Sequence, residues 1–185
     1  GGAGMISRGL NSIFPMNELS VMGFIEIASS FTNLKSRLDQ TVSTILEEKP
    51  DILLTIDAPE FCFRVAKKVK SVNRNIPIAH YVAPSVWAWR PKRAKTISKF
   101  IDHVLALLPF EPPYFHQVGL SCDFVGHPVV SENLASLENI IDLKKDYSLA
   151  DEPKILCLPG SRKSEIDRLM PTFGKTLHKF LNYLP

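Results

Sequence analysis

The chain has 185 residues, 45% of them apolar and 22% charged, with a formal net charge of +3. That length suits one ordinary domain, or one domain with part of a second, and the composition excludes disordered and fibrous classes. The charge is too small to name nucleic acid as a partner but compatible with anionic lipid or a phosphorylated substrate.

The chain begins at Gly1 with no basic, apolar and cleavage regions in series, so no signal peptide is expected. Both ends read as cuts in a longer protein; a processed or tagged chain is the plainer alternative. The apolar segment Val21 to Ile27, with Phe31 beyond it, reads as the start of a buried helix or as an exposed lid that dips into a membrane or holds acyl chains. Asn33 is expected to cap a helix to about Glu48, with Leu34, Leu38, Val42, Ile45 and Leu46 on one face and Pro50 as its stop. The apolar run 52–56 predicts a buried strand, and a basic helix is expected over 61–71. Strands follow at 78–82 and 103–107, with a helix at 91–100 begun by Pro91. A short helix is expected at 112–118 and a short strand at 123–125. Residues 131–152 are polar with weak helical periodicity and read as a linker. A strand at 154–158 and a long helix at 164–184 close the chain.

Apolar strands alternating with helices predict an α/β fold with a Rossmann-like parallel sheet covered on both faces. The unusual residues fall just past the strand ends, where open α/β sheets bind ligands. Asp57 follows the first strand and precedes Ala58-Pro59. A partly desolvated carboxylate there can act as a general base toward a hydroxyl; the plainer reading is a cap for the next helix. After the second strand stand Trp87, Trp89 and Arg90, aromatic faces for a sugar ring beside a cation for phosphate. Core packing is the plainer reading for at least one of these indoles. His80 reads as a satisfied core histidine. His127, between Gly126 and Pro128, is closer to a site, though a structural role leads. Pro159-Gly160-Ser161-Arg162 is a tight turn before a helix that can hold a phosphate, without the pattern of a Walker loop. Arg90, Lys92, Arg93, Lys95 and Lys99 form a basic stripe, either a solvated helix face or a landing surface for anionic lipid. The three cysteines, Cys62, Cys122 and Cys157, show no metal or disulfide spacing, so a reducing cytoplasm is the simpler expectation.

Six segments in order carry a resemblance: Phe14 to Gly23, Ile56 to Phe61, His80 to Arg90 with its Pro-Ser-Val-Trp-Ala-Trp-Arg run, Leu107 to Glu111, Phe124 to Pro128, and Leu158 to Arg162. With these the chain resembles the lipid-A-disaccharide synthases, bacterial glycosyltransferases of lipid A assembly. The resemblance implies the N-terminal half of a glycosyltransferase B fold plus the start of its second domain. The boundaries it implies are 1–130 for the acceptor-side domain, 131–152 for the linker and 153–185 for the start of the nucleotide-sugar domain. It implies inverting transfer from UDP-2,3-diacylglucosamine to 2,3-diacylglucosamine 1-phosphate, with neither metal nor cofactor. Asp57 matches the family's essential aspartate, here the expected base. Ser161 and Arg162 match the UDP-phosphate side, and Trp87, Arg90 and His127 are further substrate-side candidates. Val21, Met22, Phe24 and Ile25 fall in the region implicated in membrane association, so a cytoplasmic protein peripheral at the inner membrane is expected.

The family's first strand with its Gly/Ser-rich loop, and most of its second domain, have no counterpart in these residues. The sheet is therefore expected to leave an edge and apolar surface uncovered, and the chain alone to be inactive. The alternatives are another UDP-sugar enzyme of the same fold, which would lack the Trp-Ala-Trp-Arg run, and a noncatalytic remnant that binds lipid or a partner. An α/β hydrolase would need a G-x-S-x-G elbow, which is missing.

Overall fold

The computed structural model describes residues 1–19, 24–149, 154–161 and 163–181. These fall into two units, Gly1–Ser131 and Glu132–Pro185.

The first unit opens with the short helix α1 (Ala3–Ile6) and a 3-10 turn at Met16–Leu19. Helix α2 runs over Phe24–Glu48, nine residues longer at its start than the expected helix from Asn33. Nothing between Phe24 and Asn33 is a proline or glycine, so no residue there breaks the helix. Asn33 is therefore interior rather than a cap, and its Nδ2 donates to Glu18 Oε2 at 3.4 Å. Arg37 holds Glu18 from both sides, Nε to Oε2 at 2.7 Å and Nη2 to Oε1 at 3.1 Å. This fork pulls the Glu18 carboxyl below its ordinary pKa, the Arg37 hydrogen bond being the main cause.

The remaining elements are β1 (Leu53–Ile56), α3 (Pro59–Val72), β2 (Ile78–Tyr81), α4 (Lys92–Ile97), β3 (His103–Ala106), α5 (Pro112–His116) and β4 (Ser121–Phe124). The four strands form one parallel sheet in the order β1-β2-β3-β4. The α/β class and the parallel sheet stand as expected, with β4 beginning two residues earlier than the sequence suggested.

One row across the sheet is Thr55, His80, Val104 and Cys122, all buried. Helix residues Leu38, Val42, Phe63, Val69, Ile97 and Phe115 share a single core with this face. The next row is Ile56, Tyr81, Leu105 and Asp123, and it belongs to the opposite face. There Leu54 is 49% and Ile56 42% exposed. The expectation of cover on both faces is thus not met among the described residues. The cause is topological. Strands laid down in one direction, joined by crossovers of one hand, place every connecting helix on the same side. A sheet covered on both sides needs the strand order to reverse.

The second unit departs further from expectation. Within 131–152, read as a linker, lies helix α6 (Leu137–Asp146). Its start is a full capping box: the Ser136 hydroxyl accepts from Asn139 N at 3.1 Å, and Asn139 Oδ1 accepts from Ser136 N at 3.0 Å. Residues 154–158 form no strand, and Ile155, Leu156 and Leu158 stand exposed. A strand exists only by pairing, and none of the described residues pairs with this segment. Helix α7 (Lys163–Leu181) follows and continues through Pro171.

Candidate active site

The loops that leave β1, β2, β3 and β4 share the carboxyl edge of the parallel sheet. They carry Asp57, Trp87 and Arg90, Glu111, and His127 respectively.

Asp57 continues the ladder by one bond, its N–H donating to the Tyr81 carbonyl at 3.0 Å. It then turns left-handed, with φ of 49°, and Ala58 follows at 42°. Val82, one residue past β2, has φ of 78°. Non-glycine residues in this region are strained by roughly 1–3 kcal/mol each, and such strain gathers where a site must hold a fixed shape. Ala58 is the N-cap of α3 with no side-chain cap bond, so Asp57 does not cap that helix. Among the described residues no hydrogen bond or ion pair engages the Asp57 carboxylate. Its residue is exposed, where partial desolvation was expected.

Glu60, near the start of α3, shares an open depression of about 540 Å3 with Arg90, Pro91, Lys92, Arg93 and Thr96. Arg93 is committed within it, Nη2 donating to Glu60 Oε1 at 2.8 Å and the guanidinium lying 5.3 Å from the Phe63 ring centre. Arg90 has φ of 56° and lays its guanidinium 4.1 Å from the centre of the Trp89 ring. Cations thus outnumber the single carboxylate in this depression, an arrangement suited to an anionic group.

Trp87 is held by a residue to which the sequence pattern gives no role. Its Nε1 donates to Glu111 Oε1 at 3.3 Å, while Glu111 Oε2 accepts from Leu108 N at 3.0 Å. Glu111 is only 3% exposed, and Phe110 meets the indole edge-on at 5.2 Å. The only signal for this in the sequence is an acid inside the apolar, proline-rich Leu108-Pro109-Phe110-Glu111-Pro112 segment. Trp87 keeps part of its ring exposed, but its polar handle is spent on the fold, in line with the packing alternative.

His127 is exposed and bonds within its own turn. Its Nδ1 accepts from Val129 N at 3.1 Å, at the entry to a 3-10 turn over Pro128–Ser131. His80 is not the fully satisfied core histidine expected. It is completely buried, with Nδ1 2.8 Å from Thr55 Oγ1 and no partner for Nε2 among the described residues.

Asp57, Trp87, Arg90 and His127 are therefore gathered on one sheet edge. Ser161 belongs to the second unit, where Gly160 has φ of 115° and carries the Glu165 side chain against its α-carbon. Arg162, Val21 and Met22 lie outside the described residues. Phe24 and Ile25 open α2, and their side chains are not described. Among the described residues no three His, Cys, Asp or Glu side chains form a metal-binding group. None of the described helices is long and apolar enough to cross a membrane.

A family model described as lipid-A-disaccharide synthetase matches residues 1–185. A lipid-A-disaccharide synthase of Ruegeria pomeroyi is 52% identical over 181 residues, 98% of this chain and 45% of that protein. One of Rhodospirillum centenum is 48% identical over 186 residues, 100% of this chain and 46% of its own length. One of Rickettsia bellii is 41% identical over 181 residues, 97% of this chain and 47% of its own length. The chain thus spans less than half the length of these curated relatives.

Proposed function

The chain belongs to the lipid-A-disaccharide synthetase family, and we propose that it forms part of a glycosyltransferase whose reaction centre includes Asp57. The observation that carries this reading is the Asp57 carboxylate, exposed and engaged in no cap, at the carboxyl edge of a parallel sheet.

The reaction is inverting transfer from UDP-2,3-diacylglucosamine to 2,3-diacylglucosamine 1-phosphate. The 6-hydroxyl oxygen of the acceptor attacks the donor anomeric carbon as the bond from that carbon to the UDP phosphate oxygen breaks. Asp57 takes the hydroxyl proton, so the attacking oxygen gains electron density as the bond forms. UDP leaves with the electron pair of the broken bond and needs positive charge near its diphosphate. Arg162, with Ser161, is assigned to that side. Arg90, on the loop that leaves β2, serves a substrate anion, and the exposed part of Trp87 offers an apolar wall to a sugar ring. His127 acts by shaping its turn.

Both substrates carry acyl chains, so contact with an anionic membrane follows from their chemistry. We assign it to Val21, Met22, Phe24 and Ile25, aided by the exposed cations Lys92, Lys95 and Lys99, at the cytoplasmic side of the inner membrane. Residues 1–185 alone are proposed to be inactive. The uncovered sheet face and the span of less than half the relatives' length support this.

The test is Asp57→Asn in a polypeptide of full family length. Disaccharide formation falls by at least about a hundredfold with folding unchanged, in the range lost with a general base. Retained turnover removes Asp57 from the role. Disaccharide made by purified residues 1–185 overturns the inactivity reading, and vesicle flotation without transfer supports a lipid-binding remnant.

A further inference from the structure

Thr55 and His80 face each other across the β1–β2 ladder, one row before the strands end at Ile56 and Tyr81. Both are buried. The Thr55 hydroxyl has one proton, and it goes to the Ala79 carbonyl at 3.1 Å. The second bond of that oxygen, to His80 Nδ1 at 2.8 Å, must then take its proton from the ring. With the hydroxyl proton on Ala79 the ring carries its proton on Nδ1, an assignment by this bonding pattern that the nitrogen spectrum below checks. Nε2 finds no partner among the described residues, and the Phe63 ring lies 4.6 Å from the imidazole centre.

As packing alone this is a poor choice. A leucine or phenylalanine would fill the same space without an unpaired buried acceptor. What the pair adds is a side-chain tie between two strands at the level where both turn into strained loops. Asp57 and Ala58 on one strand, and Val82 on the other, all have positive φ. A left-handed β-branched residue such as Val82 persists only where its surroundings over-determine it. The ladder bond of Asp57, from its N–H to the Tyr81 carbonyl, lies just beyond the tie.

We propose that Thr55 and His80 are positioning residues: the Nδ1–H···Oγ1 bond locks the carboxyl ends of β1 and β2 together and holds Asp57 in its left-handed turn. The proposal rests on the reading of Asp57 as the base. It gives His80 no contact with substrate.

The test uses residues 1–185 and needs no turnover. Nitrogen NMR of the unmodified chain is expected to show a neutral His80 ring with its proton on Nδ1; a proton on Nε2 overturns the proposal. Amide exchange is then compared at Asp57 and at Val104 in the central sheet. Thr55→Val and His80→Leu are expected to speed exchange at Asp57 by about tenfold more than at Val104, the loss of roughly one net hydrogen bond. His80→Asn, which restores a donor near the Nδ1 position, is expected to recover most of that difference. Equal acceleration at both amides, or none, reduces the pair to core packing and overturns the proposal. If Thr55→Val and His80→Leu do not fold, the tautomer and the His80→Asn exchange pattern decide by the same criteria. In a polypeptide of full family length the same variants lower kcat with KM little changed, and His80→Asn restores it. An active Asp57→Asn enzyme would remove the base reading while leaving the exchange result intact, so the two failures are distinguishable.

Discussion

His80 links a single protonation to the stability of the fold. Burial is the main cause that lowers its pKa to about 4; the Asp57 carboxylate and the Val82 backbone pull upward, and Arg93 pushes down. The unfolded chain would titrate near the ordinary value of 6.5. Between these values the unfolded state binds more protons, so stability rises with pH. The contribution is fully present above about 6.5 and is lost as pH falls through about 4. The interval from 6.5 down to about 4 corresponds to about 3 kcal/mol. Urea unfolding of the unmodified chain and His80→Leu across this range checks it: the variant's stability is expected to lack that part of the slope. Glu111 supports a second residue-scale prediction. Glu111→Ala strips the acceptors from Trp87 Nε1 and Leu108 N, at a cost of roughly 1–3 kcal/mol, and shifts indole emission to longer wavelength as Trp87 loosens. Of these residues Asp57 and Trp87 stand out in the sequence as candidates, Asp57 because an acid directly after an apolar run marks a strand mouth. That Glu111 is buried depends on Trp87, 24 positions away, and no local pattern encodes such a pairing.

At the scale of elements, periodicity located the helices and apolar runs the strands of the sheet. Boundaries moved where the deciding contact was distant or the local signal weak. Helix α2 reaches back to Phe24 because helix-compatible residues continue past a good capping residue, and Asn33 finds Glu18 instead. Helix α6 shows in the sequence only as weak helical periodicity within 131–152, because its apolar residues face solvent, yet Ser136 and Asn139 form a reciprocal cap. Ser136→Ala is expected to cost about 1 kcal/mol of local helix stability, read as faster amide exchange within 137–146 alone. At 154–158 an apolar run stays out of any strand because it has no pairing partner among the described residues. Phe115 is the strongest internal anchor of α5 and is fully buried in the shared core. Phe115→Ala is expected to lower unfolding free energy by roughly 3–5 kcal/mol, measured by denaturant titration.

At the scale of the whole molecule, the open sheet face dominates the expected behaviour of these residues on their own. Leu54 and Ile56 present apolar surface to solvent, so a fluorescent apolar dye is expected to bind residues 1–185. The double variant Leu54→Lys and Ile56→Lys should bind less dye with little loss of stability, because neither residue belongs to the covered core. Unchanged dye binding would place the accessible apolar surface elsewhere. By itself the amino-acid sequence determined the α/β class, the run of parallel strands, the carboxyl-edge placement of Asp57, Trp87, Arg90 and His127, and the family. Each follows from short-range information: the period of apolar residues, the residues that end a strand, and motifs read in order. Only the tertiary structure decided which sheet face stays uncovered among the described residues, that Glu111 holds Trp87, and that Thr55 meets His80 beneath a strained Asp57 turn. These depend on strand order and on contacts between distant segments, which form only when the whole chain has closed around its core.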